Sequence, residues 1–145
     1  MTTETLGRDE CMRLLATQSV GRLAVLAGLY PMVVPVNFAL DRGIIVFRTG
    51  AGVKLGAAQH RNVAFEVDDI DVASRSGWSV VVTGMAETVT DDHDPDLVER
   101  SQALSIEPFD EGPKDLWVRI IPNGVSGRRI TPEDFPSPLD RRGYL

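Results

Sequence analysis

A chain of 145 residues with 43% hydrophobic content has the size and apolar mass for one core and one domain, 1–145, and two domains would be hard to fit. Its net charge of −6 argues against nucleic acid or an anionic membrane as a partner, because no basic stretch is long enough to offset the general field; any phosphate site must be local. One cysteine excludes an internal disulfide framework, no apolar run approaches a membrane span, and the opening MTTETLGRDE lacks the flanks of a secretion signal, so the expected location is the cytoplasm.

In chain order, Arg8 to Gln18 carries Cys11, Leu14 and Leu15 on one face and Arg8, Glu10 and Arg13 elsewhere, the pattern of an amphipathic helix that Gly21 ends. Cys11 lies on the apolar face with no histidine near it in sequence, so it reads as a core thiol rather than a nucleophile. Arg22 to Ala27 is a strand. Gly28-Leu29-Tyr30-Pro31 turns the chain into a second one, in which Val33, Val34 and Val36 surround Pro35 before the apolar run stops at Asn37. Leu40-Asp41-Arg42-Gly43 supplies a tight turn, with Gly43 able to take a positive φ, and Ile44 to Phe47 returns antiparallel. Two hairpins in succession make a meander rather than alternating βαβ units, and no GxGxxG follows a strand, which disfavours a Rossmann domain.

The second hairpin runs into Arg48-Thr49-Gly50-Ala51-Gly52-Val53-Lys54, which sets a guanidinium, a hydroxyl and an ammonium around two glycines. Such a set suits a phosphate monoester: Arg offers a planar fork of donors, Lys a point charge and Thr a neutral donor, while the glycines let backbone N–H groups approach. A short helix starting at Lys54-Leu55-Gly56-Ala57-Ala58 would add the partial positive charge of its N-terminus. On physical grounds alone, a solvated turn accounts for the same residues.

Asn62 to Asp68 is the next strand, opening into Asp68-Asp69-Ile70-Asp71, which lacks the alternating ligands and central glycine of a calcium loop and reads as a solvated turn. Gly77 to Val89 is the longest strand signal, and Gly84 in its middle suggests a bend at a bulge that helps to close a barrel. Trp78 is either a platform beside a flat ring or an ordinary core or interface aromatic. Asp91-Asp92-His93-Asp94-Pro95 has the acidic residues and proline of a helix start, which explains the aspartates around His93 more simply than a metal does; the helix runs to about Leu104.

Ile106 to Lys114 is a loop, and Asp115 to Ile121 is the last strand, with Leu116, Val118 and Ile120 alternating against Trp117, Arg119 and Ile121. Trp117 and Ile121 on the outer face suggest that this face is also covered, as by a subunit interface. Arg128 and Arg129 follow, and residues 131–145, with Pro132, Pro136 and Pro138, read as a C-terminal arm. His60 and His93 lie far apart and there is one cysteine, so no Ser-His-Asp or zinc constellation forms and any chemistry falls to a bound cofactor.

These elements assemble into a mainly β fold, a six- to seven-stranded antiparallel barrel with Greek-key character and two or three flanking helices. The strand Pro35-Val36-Asn37-Phe38, a tight turn, a strand ending Phe47-Arg48-Thr49 and then Gly52-Val53-Lys54-Leu55 resemble the pyridoxamine 5′-phosphate oxidase-like family, the FMN-binding split β-barrels. The resemblance continues through Val63-Ala64-Phe65-Glu66-Val67, the stretch from Gly77 to Ala86 and Gly127-Arg128-Arg129-Ile130. Order and spacing carry it, rather than any single motif.

The resemblance implies a split-barrel homodimer with two flavins in grooves between subunits and a small-molecule substrate. By the same resemblance Val34, Pro35, Val36 and Asn37 line the ring with backbone groups, Arg48, Thr49 and Lys54 hold the phosphate with Leu55 beside them, Trp78 and Ser79 border the ring or ribityl chain, and Arg128 and Arg129 reach the cofactor across the dimer. The pyridoxamine phosphate oxidases proper carry a Lys where this chain has Phe38 or Ala39, and an Arg-x-His pair where it has Arg129-Ile130-Thr131, which implies a reaction other than vitamin B6 oxidation. Shorter members near the nitroimidazole-resistance flavoproteins share the Glu10-Cys11 helix followed by Gly21-Arg22-Leu23-Ala24; many of them carry a His near Arg48, which is absent here. The expectation is an FMN-dependent oxidoreductase. A deazaflavin coenzyme in the same groove, or a non-catalytic flavin- or haem-binding protein, are the alternatives.

Overall fold

The structure, a computed structural model, describes residues 2–49, 61–90, 92–104, 106 and 116–132. Within them the elements are β1 (Thr2–Leu6), α1 (Arg8–Leu15), β2 (Val20–Ala27), β3 (Tyr30–Asp41), β4 (Ile44–Thr49), β5 (Arg61–Asp71), β6 (Ser76–Thr88), α2 (Pro95–Gln102) and β7 (Leu116–Thr131). Neither helix is long and apolar enough to cross a membrane.

The strands form one antiparallel sheet in the order β1-β7-β4-β3-β2-β5-β6, and β6 also pairs with β7, so β2 to β7 close a ring. Hairpins join β2, β3 and β4, and β5 returns beside β2, which is a Greek key. The β3–β4 hairpin is two-residue, with Arg42 at φ 50° and Gly43 at φ 83°, the pair of positive angles that matches the twist of the flanking strands.

The ring is split at two places. The β3–β4 ladder stops at Phe38 and Phe47, so over residues 30–36 the backbone of β3 pairs only with β2 among the described strands. On the far side β7 changes partners: residues 116–120 pair with β4, residues 127–131 with β1, and β6 holds residues 118–130 along the other edge. A bulge absorbs the bend between the two parts. Thr83 pairs with Gly124 and Gly84 with Pro122, which leaves Asn123 as the extra residue. The irregularity expected at Gly84 is therefore present, with the inserted residue on the partner strand, and Gly84 is required because a Cβ would overlap the backbone oxygen of Ile121.

Alternation along the strands fills the interior. Leu23, Phe38, Phe47, Phe65, Val80 and Ile120 point inward and are buried, with the rings of Phe38 and Phe65 meeting edge-to-face at 5.1 Å. Helix α1 closes one end by inserting Cys11, Leu14 and Leu15; burying each leucine contributes about 1.5–3 kcal/mol. Gly127 gives Cys11 its room, since a Cβ there would stand 2.6 Å from Sγ. The thiol is thus a core group, and burial raises its pKa.

Helix α2 covers part of the outside. Asp94 caps its N-terminus by accepting from the Asp96 N–H at 2.9 Å, and the Arg100 Nε donates to Asp41 of β3 at 3.2 Å. Nearby, Arg119 of β7 pairs with Glu87 of β6 at 3.2 Å, and Glu87 also meets His93 Nε2 at 3.3 Å. Val46 and Arg119 are both buried on the outer face.

Several boundaries differ from the sequence reading. Helix α1 ends at Leu15, where Thr17 Oγ1 caps the Leu14 carbonyl at 2.6 Å, short of Gln18. Strand β1 was not anticipated. Asp68 to Asp71 belong to β5, paired with residues 76–79 of β6, and the turn lies beyond them, where Asp71 Oδ1 accepts from the Ala73 N–H at 2.9 Å. The longest strand is β7, with 16 residues against 13 for β6, because it continues past Ile121 to Thr131. The helix expected from Lys54 and the arm beyond Pro132 lie outside the described residues.

Candidate functional site

Strand register decides which of the singled-out residues share a surface. On β4, Ile45, Phe47 and Thr49 face inward, and Arg48 faces outward. Thr49 is buried, only 2% exposed, opposite Leu116, and Arg48 stands opposite Trp117 with its guanidinium carbon 4.8 Å from the centre of the indole. Ala39 pairs with Val46, so by alternation Asn37 and Arg48 occupy the same outer face on neighbouring strands. Val36 is buried inward and Val34 packs against the core, whereas Pro35 is exposed outward. What Val34, Pro35 and Val36 offer in common is backbone, along the β3 edge that has no second strand among the described residues.

From this edge the outer face runs on across the sheet. Pro35 pairs with Arg22 of β2, Arg22 with Glu66 of β5, Glu66 with Val81 of β6, and Val81 with Ser126 of β7. Directly opposed residues share a face, so this row is a strip of outward side chains. The next row toward the β5–β6 turn is Asp68, Ser79, Arg128 and Thr5. From β4 to β5 is three inter-strand spacings, about 14 Å. That is the scale of a phosphate joined through a short chain to a fused ring.

Two depressions mark the strip. One of about 460 Å³ is lined by Ala24, Leu26, Pro31, Ala64, Thr83 and Asn123, with small and apolar residues on the β2 and β5 side. The other, of about 300 Å³, is polar: Thr3, Thr5, Ser79, Ser126 and Arg128 bring four hydroxyls and a guanidinium around Val81 and Gly127. The larger one has the size of a small-molecule site and is bordered by exposed apolar side chains, Leu26 at 57% and Val33 at 64%.

Arg22 links β2 to two carboxyl groups of β5, Glu66 at 3.2 Å and Asp68 at 3.5 Å. Burial, and after it the neighbouring Asp68 carboxylate, push the Glu66 carboxyl up to about 7, against the lowering effect of Arg22. At the opposite end of the barrel side Arg129 is engaged with Glu10 of α1 at 2.8 Å, on the inner side with Trp78, its partner across β6. Trp78 packs against the core. Of the two adjacent arginines, Arg128 lines the polar groove.

The residues singled out from sequence therefore form two groups in one chain. Asn37, Arg48 and the β3 edge lie at the split, with Thr49 beneath; Ser79 and Arg128 lie at the far end, eleven residues along β7 from Trp117, or roughly 36 Å of extended strand. Lys54 and Leu55 lie outside the described residues. Sequence reading missed Arg22, Glu66, Asp68, Thr3, Thr5 and Ser126. The alternation Thr3-Glu4-Thr5-Leu6 was the one available signal for the β1 hydroxyls, and nothing in a single sequence pairs Arg22 with Glu66.

A family model described as pyridoxamine 5′-phosphate oxidase matches residues 7–129. An uncharacterized protein of Mycobacterium tuberculosis, Rv0080, is 40% identical over 131 residues, covering 86% of this chain and 84% of its own. Among solved structures, the FAD binding protein from Mycobacterium smegmatis superposes with a TM-score of 0.75 at 35% identity, covering 90% of this chain and 99% of that one. A FAD-binding protein from Mesorhizobium loti gives 0.71 at 26% identity, covering 90% of this chain and 100% of that one.

Proposed function

Because the chain belongs to the pyridoxamine 5′-phosphate oxidase family, we propose that it is a flavin-binding oxidoreductase whose FMN unit lies on the outer face at the split of the barrel. The observation that carries this reading is the placement of Arg48 and Asn37 on one outer face beside the β3 edge, with Arg22 two strands from Arg48 and Glu66 three strands, about 14 Å of sheet width, from it. Arg48, stacked on Trp117, holds the phosphate; Lys54 joins it. Backbone groups of Val34, Pro35 and Val36 meet the ring edge, and Ala24, Ala64 and Pro31 give its flat face an apolar floor. The flavin supplies the hydride or electron chemistry when bound. The two solved relatives described as FAD-binding support a flavin, and FMN is the part that any flavin nucleotide contains.

A second copy of the chain completes the site. Leu26 and Val33 expose apolar surface beside it, and Arg128 with Ser79 lies too far along β7 to reach a phosphate at Arg48 of the same protomer. Pyridoxamine phosphate is not the substrate in this reading. Phe38, at a position where those oxidases place a lysine, is 3% exposed and points into the core, and Ala39 carries no charge. The test is the visible spectrum of the purified protein, followed by titration of the Arg48→Ala, Lys54→Ala double variant with FMN. A flavin band in the wild type and weakened binding in the variant support the reading; a Soret band, or unchanged affinity in the variant, overturns it. Bleaching of the bound flavin by NAD(P)H or reduced deazaflavin separates a reductase from a flavin store.

A further inference from the structure

The centre of the strip holds a charge imbalance. Arg22 of β2 is the one cation within reach of two β5 carboxyl groups, Glu66 at 3.2 Å and Asp68 at 3.5 Å, among the described residues. Their side chains are only 32% and 24% exposed. All three project from the same outer face, because Glu66 is directly opposite Arg22 and Asp68 is two residues further along β5. One cation neutralises one carboxylate; the second carboxyl is cheaper to keep protonated than to desolvate as an anion.

Resting on the flavin reading above, we propose that Glu66 is a ligand-positioning residue of this site, whose carboxyl, in its protonated form, donates a hydrogen bond to an acceptor atom on the edge of the bound ring. The heteroaromatic rings that fit are those with carbonyl or imine acceptors, as on the pyrimidine edge of a flavin. Placement and electrostatics agree. Glu66 stands between Ala64, on the floor of the apolar depression, and the row holding Ser79 and Arg128. Its carboxyl is pushed up to about 7, first by burial and next by Asp68. Among the described residues the facing elements add no further titrating group in that range: β6 contributes Ser79, Val81 and Thr83, and β3 contributes Pro35 beyond Arg22. A ring that covers the cluster removes more water from it and favours the protonated form further.

Deprotonation has two effects on the ligand. The donor is lost, and the cluster changes from neutral to a net negative charge facing carbonyl oxygens. Affinity therefore falls as pH rises through about 7, approaching tenfold per unit well above it.

The experiment is a fluorescence titration of the full chain with FMN from pH 6 to 8.5, repeated with riboflavin so that titration of the phosphate is not mistaken for that of Glu66. Wild type is expected to lose roughly tenfold or more in affinity over this range with both ligands. Glu66→Gln, which keeps a donor and cannot ionise, is expected to bind within a few-fold of wild type at pH 6 and to show no such decline. Asp68→Asn is expected to move the decline to higher pH if the loss of its charge unloads Arg22 onto a ligand, and to lower pH if Asp68 acts as the neighbour that raises Glu66; only the second agrees with the proposal. Circular dichroism verifies the fold of each variant. A wild-type affinity that is constant with pH, or a decline that persists in Glu66→Gln, overturns the proposal while the flavin reading stands; failure of both ligands to bind at any pH overturns both.

Discussion

Arg48 and Trp117 stand directly opposite each other on β4 and β7, and the guanidinium carbon lies 4.8 Å from the centre of the indole ring. The stack holds the cation against the outer face instead of letting it sweep through solvent, at a gain of about 1 kcal/mol for a half-buried pair. Arg48→Ala removes the charge itself, and is expected to lower FMN affinity by about 1.5–3 kcal/mol, roughly 10- to 150-fold. Trp117→Ala removes only the orientation and is expected to cost about 2- to 5-fold. Quenching of flavin fluorescence measures both, and a larger effect for Trp117→Ala would show that the indole, not the guanidinium, makes the principal contact.

The Asp41–Arg100 pair fastens α2 to the barrel. Asp41 is 7% exposed and accepts from Arg100 Nε at 3.2 Å, while Arg100 also pairs with Asp96 one helical turn earlier. Arg100→Met leaves the Asp41 carboxylate without that cation and is expected to destabilise the fold, less than for a wholly buried pair because Arg100 is partly in water. Adding Asp41→Asn should recover part of the loss. Urea unfolding of the single and double variants measures this, and simple additivity would mean that the two side chains do not interact.

Gly84 sits at the bulge where the ring changes direction, and a Cβ there overlaps backbone rather than a side chain that could swing aside. Gly84→Ala is expected to cost about 1–3 kcal/mol and to lower the melting temperature. Gly21 differs, since a Cβ there meets the ring of Phe65. A Gly84→Ala protein as stable as wild type would show that the β6–β7 crossover can slide.

Two carboxyl groups give opposite pH dependences. Hydrogen bonds from Arg13, and next from Arg129, hold the Glu10 carboxyl at about 2, below its ordinary 4.5. Its contribution is present above that ordinary value and lost as pH falls toward 2. Glu66 is raised from 4.5 to about 7, so its contribution is full below 4.5 and lost as pH rises through 7. Glu10→Gln is expected to flatten the acid limb of a stability profile, and Glu66→Gln the limb between 4.5 and 7. Urea midpoints across the pH range measure both, and unchanged limbs would contradict the assignment.

Short-range pattern was sufficient for much of the barrel. Apolar, strand-forming runs located β2, β3, β4 and β6, the Leu40-Asp41-Arg42-Gly43 turn located a tight hairpin, and Asp94-Pro95 located the start of α2. Elements whose stability comes from a distant partner were harder to see. In β1 the described residues show a single buried side chain, Leu6, and the strand exists because the end of β7 pairs with it. Pro122-Asn123-Gly124 reads locally as a turn, yet β7 continues through it because β6 holds both sides of the bulge. Asp68 to Asp71 look like solvated loop residues, and the β6 ladder keeps them extended.

The site shows the same division. Arg48 and Asn37 were visible as the polar ends of two apolar strands, whereas the opposition of Arg22 and Glu66 depends on β5 returning beside β2, a contact between residues 44 apart in sequence. Inward and outward direction was also out of reach at Thr49 and Trp78, where it follows from register.

A crystal structure of the full chain grown with saturating FMN bears most directly on the central claim. The expected result is a phosphate within hydrogen-bond distance of the Arg48 guanidinium and a ring lying over the outer face of β3 and β2 toward Arg22, with a second copy of the chain closing the groove. Density for the flavin elsewhere on the barrel, or a fully saturated complex in which the Arg48 guanidinium makes no contact with the phosphate, would contradict it.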